Sequence, residues 1–264
     1  MGKAILAGLM SAGIDPSQVA ASTKSAASAE RLTDEYGIDA FARDTHDQAN
    51  SMAAKQADII LLAVKPAYVI EVLTEIAPSL RPDALVISVA AGITTDAMQA
   101  AVPSSVAVVR SMPNTPAIVG RAVTGLARGS RSTGDQLQTA IGLFETVGKV
   151  LVVDESQIDA LSTVSGSGPA YVFYLIEQFT EAARGLGFTD EQAKVMVQET
   201  FLGASELLAV SGKTPEELRK QVTSPNGTTM RAVAVLESAN LSATFEKATA
   251  AALARAKEIA EGNL

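Results

Sequence analysis

The chain has 264 residues, 47% of them apolar and 19% charged, with a net charge of −8, one histidine and no cysteine. Such a length and balance support a folded chain with a substantial core, and the negative charge argues against nucleic acid or an anionic membrane as partner. Without cysteine, disulfides, thiolate catalysis and Cys-ligated zinc are excluded.

In chain order, Ala4, Ile5, Leu9 and Met10 predict a first helix that Gly13 ends. Val19-Ala20-Ala21-Ser22 reads as a short strand, and Glu30, Arg31, Leu32 and Tyr36 belong to a second helix stopped by Gly37. The apolar run 59–64 has the continuity of a strand buried on both faces. Residues 84–89, 106–109 and 123–126 are further strand candidates. This alternation of strands and helices predicts a parallel sheet covered on both sides. From about Asp154 the pattern is helical throughout. Pro169 opens a long segment through Tyr171, Phe173, Leu175, Ile176 and Phe179 to Gly185, and Thr189-Asp190-Glu191 caps another that ends at Gly212. Thr214-Pro215-Glu216-Glu217 is a capped helix start, and an alanine-rich last helix covers 242–260. The expected fold is α/β: a Rossmann-like doubly wound parallel sheet in residues 1–152, then an all-α domain in residues 153–264. Ala182, Ala183, Gly203 and Ala204 permit close helix approach, and helices this apolar are expected to bury surface against a second copy. No apolar stretch reaches membrane-spanning length; the longest, 160–176, is broken by Ser165-Gly166-Ser167-Gly168-Pro169. With no secretory or transit segment at its start, the chain is expected in the cytoplasm.

The densest chemistry lies in Val222-Thr223-Ser224-Pro225-Asn226-Gly227-Thr228-Thr229, between two helical segments. A Ser-Pro-Asn-Gly turn feeding a helix at Thr228 leaves backbone N–H groups beside two hydroxyls, a seat for a small carboxylate or phosphate. An ordinary Pro-Gly turn with a threonine cap is the competing reading. The sole histidine, His46, sits in the polar stretch Arg43-Asp44-Thr45-His46-Asp47 and is expected at the surface, with no Ser-His-Asp arrangement around it. No three carboxylates fall in register for zinc, so no metal is expected.

Together with Ala63-Val64-Lys65-Pro66, Ser88-Val89-Ala90-Ala91-Gly92-Ile93, Arg110-Ser111-Met112-Pro113-Asn114-Thr115-Pro116 and Ser165-Gly166-Ser167-Gly168-Pro169-Ala170-Tyr171, the turn resembles the signature blocks of the Δ1-pyrroline-5-carboxylate reductases. The blocks stand in that family's order along nearly the whole chain. The resemblance implies reduction of 1-pyrroline-5-carboxylate to L-proline, the last step of proline biosynthesis, by hydride transfer from a nicotinamide cofactor. It also implies an interlocked homodimer, or a higher homo-oligomer, built from the C-terminal helices. Thr229 matches the family's substrate-contacting threonine and is the expected catalytic residue, hydrogen-bonded to the ring nitrogen. Ser224, Asn226, Gly227 and Thr228 are expected to serve the substrate carboxylate or the turn that holds it. Ala63, Val64, Lys65 and Pro66 resemble the block that lies along the cofactor, Ala91 and Gly92 join that set, and Asn114 resembles the residue near the nicotinamide. Asn226 replaces the family's usual glycine, a change the turn should tolerate because Asn adopts a left-handed backbone readily.

A dinucleotide-binding fold opens with a strand, a G-x-G-x-x-G turn and a helix. Here Met1-Gly2-Lys3-Ala4-Ile5-Leu6 already reads as that helix, with Gly2 as the third glycine. The first strand and two glycines, about 10 residues, are expected upstream of Met1 through a displaced start. The other reading is a chain that lacks them and binds its cofactor poorly. For cofactor choice, no acid lies between Asp15 and Glu30 to hold a ribose 2′-hydroxyl, whereas Ser22, Thr23 and Lys24 suit a 2′-phosphate, which favours NADPH over NADH.

The lysine that β-hydroxyacid dehydrogenases carry at the start of their second domain has no counterpart, since residues 160–183 contain none. A cyclic imine protonates in solution, so its reductase needs no strong acid; it must hold the carboxylate and bring the ring carbon within hydride reach. Two alternatives accompany this reading: a reductase of a related cyclic imine acid such as the six-membered homologue, and a non-catalytic dimeric binding protein that has lost its cofactor turn.

Overall fold

The computed structural model describes residues 1–260. It divides into two compact units, Met1–Ser167 with the described residues from Ala252 onward, and Gly168–Ala251.

The first unit opens on α1 (Gly2–Ser11), followed by β1 (Ala20–Thr23), α2 (Ala26–Tyr36), β2 (Asp39–Ala42) and α3 (Ala49–Ala54). It continues with β3 (Ile59–Leu62), α4 (Val69–Ile76), β4 (Leu85–Ser88), α5 (Thr95–Ala100), β5 (Ala107–Met112) and β6 (Ala122–Arg128). It closes with α6 (Gly134–Glu145), β7 (Gly148–Val152), α7 (Glu155–Leu161) and a π turn at Ser162–Gly166. Gly13 and Gly37 end their helices with left-handed backbones, φ +85° and +69°, as their positions predict.

The sheet runs β3-β4-β5-β6-β7, with β1 and β2 as a separate parallel pair. It is not parallel throughout: β5 and β6 are antiparallel, while β3, β4 and β5 run together and β6 runs with β7. The reason is the link 113–121, whose only regular piece is the 3-10 turn Thr115–Val119. A parallel return needs a crossover of about a dozen residues or more. β2 and β7, short and without long apolar runs, are the two strands that patterning did not mark. β3 departs from the expected two-sided burial, with Ile59 37% exposed. It pairs with β4 on one side only, as β1 pairs only with β2, so each keeps an unpaired edge among the described residues.

Alternation along β4 explains the two-sided core. Val86 joins Val69, Val72, Leu73 and Ile76 of α4 and Met98 of α5 on one face. Leu85 and Ile87 join Ile5 of α1 and Ala140 and Phe144 of α6 on the other. α7 and the π turn belong to this unit rather than to the helices that follow, because α7 is tied to β5 by the Arg110–Asp159 ion pair.

The second unit consists of α8 (Gly168–Gly185), α9 (Asp190–Ser211), α10 (Pro215–Gln221), α11 (Thr228–Ser238) and the first part of α12 (Leu241–Ala260). Capping boxes of Thr189 with Gln192 and of Thr214 with Glu217 start α9 and α10, and Gly212, at φ +67°, ends α9. Its core is small: Ala183, Ala193 and Val197 are buried, with Ile176 and Phe201 packed on them where α8 meets α9. The rings of Tyr171 and Phe245, 6.3 Å apart, join α8 to α12. Among the described residues no helix is long and apolar enough to cross a membrane.

Candidate functional site

Leu62 of β3, Ser88 of β4 and Arg110 of β5 stand opposite one another, so β3 and β4 end level, β5 runs two residues further, and their following loops emerge at one edge. Carboxyl ends of parallel strands are where open α/β sheets bind ligands. This edge gathers most of the residues expected to bind a cofactor. Ala63, Val64, Lys65 and Ala91 are exposed, and Pro66 and Gly92 are half-buried. Gly92 has φ +76°, a conformation that disfavours any side chain there. A Cβ on Gly2 would sit 2.8 Å from Ala63 Cβ, so only glycine lets the start of α1 approach the loop after β3. No side chain caps α1, which leaves first-turn N–H groups available to an anion. These features fit a dinucleotide phosphate; Lys65, exposed and without an ion pair among the described residues, adds a cation beside them.

At the end of β1 the three 2′-phosphate candidates differ in freedom. Ser22 Oγ donates to Asn50 Oδ1 at 2.8 Å, and Asn50 in turn donates to Glu75 at 2.8 Å. Thr23 Oγ1 donates to the Ser25 carbonyl at 3.0 Å. Lys24 is exposed and has no ion pair among the described residues. Sequence reasoning missed Asp44, whose carboxylate accepts the Ala26 N–H at 2.9 and 3.1 Å and so occupies the start of α2 beside Lys24. His46, two residues on, is exposed in the turn before α3, as its polar surroundings predict.

Asn114 is buried, and its carboxamide already has partners: Nδ2 donates to the Ser165 carbonyl and Oδ1 accepts from Val123 N, both at 2.9 Å. Four residues earlier, Arg110 is 3% exposed and pairs with Asp159 at 2.5 Å and Glu155 at 3.9 Å. Glu155 also accepts the Thr95 N–H and hydroxyl, each at 2.6 Å. This buried charge cluster went unforeseen, although a lone arginine in an apolar strand is the signal that points to it.

In the second unit, the predicted turn closes with Gly227 N–H donating to the Ser224 carbonyl at 3.1 Å. Asn226 has φ +59°, the left-handed backbone expected of it. A Cβ on Gly227 would meet Ser224 Oγ at 2.6 Å, so the turn is as tight as glycine allows. Gly227 is the N-cap of α11 and supplies no side chain, leaving the helix start open. Ser224, Thr228 and Thr229 are exposed, and none of their hydroxyls makes a hydrogen bond among the described residues. The turn is braced by Arg219 of α10, paired with Glu237 of α11 at 2.6 Å, and by Thr223 Oγ1 donating to the Arg219 carbonyl at 2.6 Å. Arg231, one turn into α11, is exposed and unpaired among the described residues. Ser224, Asn226, Gly227, Thr228 and Thr229 thus lie together at one helix start without a side-chain cap, the kind of place where backbone N–H groups favour an anion.

Comparison with known proteins gives a family match to each half of the chain, the second beginning at α7. Residues 155–259 match the family model for pyrroline-5-carboxylate reductase dimerisation, and residues 1–92 match that for coenzyme F420-dependent NADP oxidoreductases. A pyrroline-5-carboxylate reductase of Corynebacterium melassecola is 37% identical over 262 residues, covering 98% of this chain and 95% of that protein. The structure of one from Coxiella burnetii superposes with a TM-score of 0.90 at 37% identity, covering 97% of this chain and 94% of that one. A pyrroline carboxylate reductase of Plasmodium falciparum, solved with NADP bound, gives a TM-score of 0.82 at 26% identity over 98% of this chain and 94% of that one.

Proposed function

The chain belongs to the pyrroline-5-carboxylate reductase family, and from that premise we propose that it reduces 1-pyrroline-5-carboxylate to L-proline with NADPH, the last step of proline biosynthesis. The observation that carries the reading is the Ser224–Thr229 turn, an uncapped helix start with three hydroxyls that make no hydrogen bond among the described residues. The substrate carboxylate sits there on the N–H groups at the start of α11, with Ser224, Asn226, Gly227 and Thr228 forming the seat. The helix dipole adds on the order of 1 kcal/mol to such a placement. The Thr229 hydroxyl bonds the ring nitrogen, which keeps its proton as the imine carbon accepts a hydride and the C=N bond becomes the C–N bond of proline. NADPH supplies that hydride when bound, held by Gly2, Ala63, Val64, Lys65, Pro66, Ala91 and Gly92, with Lys24 and Thr23 near the 2′-phosphate and Asn114 on the nicotinamide side. Ser22 acts from behind, through its bond to Asn50.

Residues 1–152 serve as the cofactor domain and 153–264 as the substrate and dimerisation domain, an assignment supported by the dimerisation match to 155–259. The assembly is a homodimer or a higher homo-oligomer in the cytoplasm. Naming of the relatives as reductases favours the enzyme over a binding protein without catalysis. NADPH oxidation by the purified protein with 1-pyrroline-5-carboxylate tests the reading. We expect turnover, and a fall of about 100-fold in kcat for Thr229→Ala, the usual consequence of removing one hydrogen bond that strengthens in the transition state. Folded protein without turnover overturns the function; undiminished turnover in Thr229→Ala overturns the role of that hydroxyl.

A further inference from the structure

Arg110, Met112 and Asn114 alternate along β5 and its extension, so the pleat turns all three to one side. Each meets the same short piece of chain. Arg110 pairs with Asp159 at 2.5 Å, and Asn114 Nδ2 donates to the Ser165 carbonyl at 2.9 Å. Between them, a methyl placed on Gly166 would lie 3.4 Å from Met112 Cε. The piece they grip is the end of α7 and the π turn Ser162–Gly166, closed by Ser167 N–H donating to the Ser162 carbonyl at 2.8 Å. Single π turns inside helices concentrate at functional sites, because the extra residue displaces the backbone from its regular path.

The ion pair is poorly explained as a source of stability. Arg110 is 3% exposed, and its Nε is buried without a hydrogen-bond partner among the described residues. Burying charges is costly, and apolar replacements of similar volume often fold as well or better. What an ion pair and a carboxamide bond supply, and a greasy contact does not, is a fixed setting. Two directional ties, at Asp159 and at Ser165, leave the π turn little freedom to slide or rotate against the strand that leads into Pro113 and Asn114.

We propose that Arg110, Met112 and Asn114 are positioning residues: together they clamp the π turn at the carboxyl edge of the sheet, where the nicotinamide end of the cofactor binds. The inference rests on the reductase reading for its effect on turnover, and on geometry alone for its effect on the turn. Misplacement of a site by about 1 Å costs on the order of 100-fold in rate, so a loosened clamp acts on kcat before it acts on cofactor affinity.

The deciding variant is R110M–D159L in the full-length enzyme, an apolar pair of similar bulk. We expect a melting temperature within about 5 °C of wild type, a kcat lower by about tenfold and a KM for NADPH within about twofold. Without any ligand, the Ser167 amide should exchange its hydrogen about tenfold faster while the strand amides keep their rates. Wild-type kcat and exchange at an unchanged melting temperature would make the pair merely structural and overturn the proposal. Should the double variant not fold, Asn114→Ala, which spares the ion pair and removes the tie to Ser165, decides by the ligand-free exchange of the Ser167 amide: about tenfold faster exchange supports the clamp, and the wild-type rate overturns it. Because exchange is read without substrate, a loosened turn in a protein inactive on 1-pyrroline-5-carboxylate would support the clamp while the reductase reading fails.

Discussion

The two units handle similar apolar content in opposite ways. Among the described residues, all but three of the buried apolar side chains lie in the first unit, the three being Ala183, Ala193 and Val197. The first unit closes its own core by covering both faces of the sheet. The second leaves Phe173 66%, Leu202 63% and Val210 75% exposed on its helices. An exposed apolar surface of this extent marks an interaction face, and the dimerisation match to these helices identifies the partner as a second copy. The first unit therefore closes its core from within, whereas the unit bearing the Ser224–Thr229 turn is expected to close its own against the second copy. Activity should follow protein concentration through the second unit alone.

The largest expected effect breaks that dependence. Placing charges on the exposed face, as in Phe173→Glu with Leu207→Glu, should abolish self-association in sedimentation experiments and remove essentially all turnover, since like charges would face each other across a buried apolar contact. Leu73→Ala is the counterpart in the first unit. Its side chain is fully buried between α4 and the sheet, so truncation should cost about 2–5 kcal/mol of stability in chemical denaturation while the dimer persists. A dimer lost in Leu73→Ala, or kept in the charged variant, would dissolve the contrast between the units.

The contrast also governs what could be read from residue order. Element types came through clearly wherever a local rule decides: Gly37 and Gly212 at helix ends, the Thr189 and Thr214 caps, and the left-handed Asn226. The antiparallel turn of β6 was hidden because it depends on the length of one loop, and β2 and β7 because four or five residues carry little periodicity. At the site, the blocks marked the loops but not their partners. Asp44 at the start of α2, Asn50 behind Ser22, and the Arg110–Asp159 pair join residues 18 to 49 positions apart, where no spacing rule applies. Exposure of Ile59 was likewise invisible, since a strand's run of apolar residues does not report whether both neighbours are present.

A smaller effect separates the units by ligand. Lys24 belongs to the first unit and is exposed, so Lys24→Ala should leave folding and assembly intact. Losing one charge-assisted contact should raise KM for NADPH by about tenfold and leave KM for NADH and for the imine acid unchanged. An equal rise for both nucleotides would place Lys24 away from the 2′-phosphate. In the second unit Gly227→Ala should do the reverse, because its new methyl would press on Ser224 Oγ and on the Ser224 carbonyl, 2.6 and 3.2 Å away. The imine acid's KM should rise with that of NADPH unchanged.

The smallest effect should fail to distinguish the units, and that makes it a control. Asp15 and Glu35 in the first unit and Glu217 in the second all titrate below their ordinary values of 3.8 and 4.5. The causes are the Ser17 backbone N–H for Asp15, the Lys3 ammonium for Glu35 and the Thr214 backbone N–H for Glu217. A carboxylate with a depressed folded pKa stabilises the fold above its unfolded pKa, and that contribution disappears as pH falls through the folded value. All three groups lie at the surface, where water screens such interactions. Chemical denaturation followed below about pH 4.5 should therefore show a shallow loss in both units, and Glu217→Gln, which keeps a capping side chain without the titration, should flatten only the share from α10. A steep acid transition confined to the second unit would mean that charge, and not the apolar face of its helices, holds the copies together.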